Sequence, residues 1–206
     1  MSIPLRALLF AVILGIAASA QGQINIVNFD FGAVQIACPA DYTYEFPESL
    51  CAWAPFQNFN AAPGFGWTLN YSPTTYAGGD GLTGPNTSFL PPPFTGLPFS
   101  QAVFLQNRPS SVSQDINGFT AGSYILSFYL GSRYSSGRFD GNQTVEALID
   151  GQVIGTWALS SFTPFTLQTA NFTVNSSGSH TLEFRGINPG DHTAFLSYVT
   201  ITRTGH

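Results

Sequence analysis

Tyr129, Arg133, Tyr134, Asp140 and Asn142 follow one another over a short stretch of the chain, with Arg138 among them. They combine rings, a guanidinium, a carboxylate and an amide. Aromatic faces stack on the C–H surface of a neutral sugar ring, while amides, carboxylates and Arg bond its hydroxyls. Trp67, Tyr71 and Tyr76 add rings from an earlier part of the chain. The same residues also suit a plainer role, with Trp67 and Trp157 in a core and Arg133 paired with Asp140 or Glu146.

Other chemistries find less support. Nucleophilic hydrolysis needs a Ser or Cys beside a His that an acid orients. The histidines are His180, His192 and His206, and there is no Gly-x-Ser-x-Gly elbow. Glycoside hydrolysis needs two carboxylates flanking a cleft. The eleven acids are scattered, and Asp140 with Glu146 is the nearest pair. A hydrolase is therefore the third reading. For metal, Gly78-Gly79-Asp80-Gly81 and Gly190-Asp191 are oxygen-rich loops of the kind Ca²⁺ accepts. Asn28 and Asp30 lie on an expected first strand that is able to meet the last one. Asp30, Asp80 and Asp191 are thus the candidate ligands of a structural calcium, against the simpler view that each stabilises a turn.

The elements that must position these residues are strands. In Gly122–Gly151, Tyr124, Leu126, Phe128 and Leu130 alternate with Ser127, Tyr129, Gly131 and Arg133, so the second set points away from the core. Val145, Ala147 and Ile149 continue the pattern before an Asp150-Gly151 turn. Further strands are expected at Ile24–Phe31, Phe65–Tyr71, Gln101–Leu105, Val112–Ile116, Val153–Leu159, Phe165–Val174, His180–Gly186 and Thr193–Thr202. In Phe165–Val174 the apolar phase slips between Leu167 and Phe172, which predicts a bulge. Turn residues mark nearly every boundary, and no 3.6-residue period follows the leader. About ten short strands with regular turns make an all-β, two-sheet antiparallel jelly-roll sandwich.

Residues 1–20 read as a signal peptide: Arg6, an apolar run to Ala17, and Ala18-Ser19-Ala20 as a cleavage site. Residues 21–206 then form one domain in an extracellular or periplasmic setting. Cys38 and Cys51 are an isolated pair in an exported chain and are read as a disulfide, worth about 3 kcal/mol on the chain-entropy model. They sit in an irregular, aromatic-rich insertion at about 37–62. A second long loop, about 72–98, carries Pro91-Pro92-Pro93, which must be extended.

Charged residues are 8% of the chain, there is no Lys, and the net charge is −5. A nucleic-acid binder needs a basic face, and so does docking on an anionic bilayer. No second hydrophobic stretch follows the leader, so the mature chain is not expected to insert in a membrane. Aromatics at 15% argue against disorder.

Several motifs now stand in a known order: Gly66-Trp67, Ala102–Gln106, Ser113-Gln114, Ala121–Phe128, Arg133, Gln143–Gly151, Gly178–Phe184 and Gly190–Leu196. Their succession resembles the galactose-binding-domain-like β-jelly rolls, and most of all the secreted modules related to the DUF642 and carbohydrate-binding families. The resemblance covers about two thirds of the chain and implies the fold, not the ligand. Relatives often end with an acidic pair where this chain has Ser197-Tyr198, which weighs against a cation held there. The 37–62 region has the look of an insertion.

The expected function is non-catalytic binding of an extracellular polysaccharide or other glycan by Arg133, Tyr134, Tyr129, Asp140, Asn142 and Trp67. The rival is a structural or adhesive surface protein whose exposed rings contact other proteins. Asn-x-Ser/Thr sequons, such as those at Asn86, Asn142, Asn171 and Asn175, matter only in a glycosylating host.

Overall fold

The computed structural model describes residues 22–34, 43–45, 56–70, 79–87, 89, 91–107, 110–135, 137 and 139–205. The expected signal peptide, Cys38, Cys51, Tyr71, Tyr76 and Arg138 lie outside the described residues.

Thirteen strands are described: β1 Gln23–Ile24, β2 Thr43–Glu45, β3 Phe56–Gln57, β4 Thr68–Asn70, β5 Gly79–Thr83, β6 Ala102–Gln106, β7 Ser110–Phe119, β8 Gly122–Ser132, β9 Thr144–Ile149, β10 Gln152–Ala158, β11 Thr166–Val174, β12 Gly178–Gly186 and β13 Thr193–Arg203. One sheet runs β11-β8-β13-β6-β5-β2-β3, with β1 also paired to β13; the other runs β10-β9-β12-β7-β4. Every pair is antiparallel except β2–β3. There is no helix among the described residues.

Alternation explains the core. Tyr124, Leu126, Phe128 and Leu130 of β8 are buried and face Val145, Ala147, Leu182 and Phe184 of the other sheet within one cluster. Phe128 and Phe184 meet edge-on at 4.8 Å across the interface. Each such ring or branched side chain, fully buried, contributes about 1.5–3 kcal/mol. Tyr124 adds a polar lock, its hydroxyl donating to Thr120 O at 2.7 Å across the β7–β8 turn.

A second core lies on the outer side of the larger sheet. Phe89, Phe94, Phe99, Phe104, Phe165 and Phe195 cluster there, with Tyr129 and Tyr198 against them. The proline-rich segment supplies Phe89, Phe94 and Phe99. Its described residues join no strand; they are held by a turn, Leu97 N donating to Phe94 O at 3.1 Å, and by ring contacts such as Phe94–Phe165 at 5.1 Å.

Three sequence expectations are corrected. The first strand is only two residues long, because Asn28 and Phe31 adopt left-handed backbone angles. The Gln114 side chain substitutes for a strand partner there, accepting from Val27 N and donating to Val27 O. A strand, β5, forms where Gly79-Asp80-Gly81 suggested only a loop. And β11 carries no bulge: its register against β8 is unbroken from Thr166 to Val174, and Leu167 simply faces solvent at 56% exposure.

Candidate functional site at one end of the sandwich

The end of β8 is stitched to two later segments. Ser132 N donates to Thr163 O at 2.9 Å, and Thr163 N donates to Ser132 Oγ at 2.8 Å. Phe162 N donates to Arg133 O at 2.9 Å. Asp140 and His192 form a parallel bridge, with Asp140 N donating to Asp191 O and Thr193 N to Asp140 O. Gly141 is required at the crossing: a Cβ there would lie 2.5 Å from Arg133 O. Beneath it, the buried Gln143 amide donates to His192 O at 3.0 Å and accepts from Asn188 N at 2.8 Å.

This stitching brings two rings to the surface together. Tyr134 and Phe162 are 53% and 47% exposed, with centroids 5.2 Å apart and planes at 82°. Phe162 has φ 58°. A bulky residue in that region is a true outlier, and such strain persists where the surroundings impose it.

Polar groups lie on the adjoining segments. Asp140 accepts from Asn142 N at 2.8 Å and from Asn142 Nδ2 at 2.7 Å, and Asn142 Oδ1 accepts from Ser161 N at 3.0 Å. His192 Nδ1 lies 2.5 Å from Asp140 Oδ1. Burial opposes ionisation of Asp140, but the hydrogen bonds from His192 and Asn142 prevail and hold its carboxyl below the usual range. With Nδ1 engaged, a third of the His192 side chain remains open to solvent.

The sequence-predicted residues divide. Tyr134, Asp140 and Asn142 come together here. Arg133 does not reach the surface and is corrected: it is 6% exposed, Nη1 is 3.1 Å from Asp191 Oδ1, and its guanidinium lies between the rings of Phe89 (4.3 Å) and Phe139 (4.1 Å). It does face away from the main core, as alternation requires, but the proline-rich segment covers it. Tyr129 is half-buried for the same reason, with Phe99 at 5.6 Å. Trp67 is buried, its Nε1 donating to Asn28 O at 3.0 Å, in the plainer role the sequence also allowed.

Asp30, Asp80 and Asp191 do not assemble. Asp30 accepts from Gly32 N within a turn, Asp80 is buried in β5, and Asp191 accepts from Arg133 and from Gln106 Nε2. No group of three His, Cys, Asp or Glu side chains suited to a metal occurs among the described residues. Sequence reasoning missed Phe162 and His192. Phe162 follows Ser160-Ser161 in what reads only as a turn, and His192 gains its carboxylate partner solely through the fold.

The fold and site together define a two-sheet β-sandwich with an aromatic pair mounted on its end loops. No family model matches the chain, and no curated protein matches it. Among solved structures it is similar to the Stig cyclase Fisc from Fischerella sp. TAU in complex with (3Z)-3-(1-methyl-2-pyrrolidinylidene)-3H-indole: 18% identity over 90% of this chain and 98% of that one, TM-score 0.59. Another cyclase from Fischerella sp. TAU gives 16% identity over 90% and 98%, TM-score 0.58. A family 35 carbohydrate-binding module from Clostridium thermocellum gives 15% identity over 67% and 92%, TM-score 0.46. The likeness to the cyclases is one of fold.

Proposed function

We propose that the chain is a secreted, non-catalytic module that binds a polysaccharide or other extracellular glycan at the Tyr134–Phe162 end. The observation that carries this reading is the exposed pair of rings, one held in a left-handed backbone conformation, on segments tied through Ser161 to Asn142 and so to Asp140 and His192. Rings of this kind suit the C–H faces of a sugar, and the carboxylate, amide and imidazole suit its hydroxyls. Rigid presentation lowers the ordering cost of binding.

A second reading has its own observation. The Asp140–His192 pair orients an imidazole whose side chain is partly open, the arrangement of a general acid–base group. Retention on a panel of insoluble polysaccharides and a glycan array tests the first reading; loss of retention in Tyr134→Ala with the fold intact supports it. Turnover of model glycosides that His192→Ala abolishes supports the second.

A further inference from the structure

Sheet edges expose unpaired N–H and C=O groups, and soluble proteins blunt them with short strands, bulges, prolines or charges. Most edges of this sandwich are blunted. β1 and β3 are two residues long and β4 is three. β10 breaks register between Val153 and Gly155, where the Trp157 ring lies so close that a Cβ on Gly155 would be 2.4 Å from Cη2.

β11 has none of these devices. It is nine residues long, TLQTANFTV, with no Pro, Gly or charge. Its pairing with β8 is unbroken, and among the described residues no strand pairs with its other edge. Leu167 at its start is 56% exposed.

We propose that β11 pairs antiparallel with β11 of a second copy of this chain, about a two-fold axis at Ala170. Centred there, all nine residues pair. On the outer face Leu167 meets Thr173 of the other copy, and Thr169 meets Asn171. The chain carries a net charge of −5, yet no charge faces its own symmetry mate along this edge, and the β8 residues behind it (Ser123, Ile125, Ser127 and Tyr129) are also uncharged. Self-pairing thus escapes the like-charge repulsion that an acidic chain otherwise brings to a contact between copies. Main-chain hydrogen bonds supply the affinity. An isologous contact uses the same edge on both copies, so the assembly closes at two.

Light scattering and sedimentation of the full chain test this. The expected mass is twice that of one chain, falling towards one chain on dilution. Thr169→Lys, on an exposed position, should abolish the dimer with an unchanged β-sheet circular dichroism spectrum, while Val153→Lys on β10 leaves it intact. Thr169→Cys with Asn171→Cys should yield a covalent dimer on oxidation. A single-chain mass at the highest soluble concentration, a dimer that survives Thr169→Lys, or open-ended fibres would each overturn the proposal.

Discussion

Arg133 Nη1 lies 3.1 Å from Asp191 Oδ1, and the same guanidinium is held between the rings of Phe89 and Phe139. One side chain therefore joins the end of β8, the proline-rich segment and the approach to β13. Arg133 is buried while Asp191 is 24% exposed and keeps its bond from Gln106, so the charge stranded by removing the arginine costs less than the roughly 3–5 kcal/mol of a fully buried pair. Arg133→Ala should lower the unfolding free energy by about 1–3 kcal/mol. Chemical denaturation measures it. A variant as stable as the parent would show that Arg133 contributes no structure.

Gly141 marks the crossing point of the site. A methyl there meets Arg133 O at 2.5 Å and Ser132 Oγ at 2.6 Å; the first is backbone, and the second is a buried hydroxyl held by Ser160 O and Thr163 N. Gly141→Ala should displace Asp140 and Asn142 and destabilise the chain by about 1–3 kcal/mol, the usual cost of overpacking. Thermal unfolding and glycan retention should fall together.

Phe162 offers the opposite outcome. Its left-handed backbone costs about 1–2 kcal/mol for an ordinary L-residue, and Gly or Asn tolerates that region. Phe162→Gly should leave stability unchanged or slightly raised while weakening retention on a glycan. A parallel fall in both would mean that the ring stabilises the loop and does not serve a ligand.

His180 predicts a pH dependence. Nδ1 lies 2.5 Å from Asp150 Oδ2 and Nε2 lies 3.0 Å from Ser176 O. Both partners are acceptors, so both bonds together require the doubly protonated ring. The bond to Asp150 raises the His180 pKa above its ordinary 6.5, burial opposes this, and Ser176 O assists. For Asp150 burial opposes ionisation, yet the bonds from His180 and Thr181 N hold its carboxyl below the ordinary 3.8. The His180 contribution is complete below its unfolded value and is lost as pH rises through the higher folded one. That of Asp150 is complete above its unfolded value and is lost as pH falls through the lower folded one. Stability from this pair should therefore peak between the two ordinary values and decline as pH rises from 6.5 through the raised His180 pKa. His180→Gln should flatten that alkaline decline in denaturation curves recorded across pH.

The sandwich was legible because strand alternation is local: Tyr124 to Leu130 declare their face by spacing alone. Solvent exposure was not legible. Alternation puts Tyr129 and Arg133 outside the main core, but only the fold shows the Phe89–Phe99 segment lying over them. β5 was hidden because Gly79-Asp80-Gly81 has turn composition and becomes a strand through its neighbour β6. The slip in β11 suggested a bulge because Leu167 was assumed to be buried. At the site, Tyr134, Asp140 and Asn142 were readable from residue type. Phe162 and His192 were not, since their positions depend on hydrogen bonds between segments far apart in the chain.

The central claim rests on the Tyr134–Phe162 rings, and retention on a panel of insoluble polysaccharides by the parent chain and by the Tyr134→Ala/Phe162→Ala double variant tests it most directly. The parent should be held by at least one polysaccharide and the double variant released, with the same circular dichroism spectrum. Equal retention of both chains, or no retention of the parent on any glycan, would contradict it.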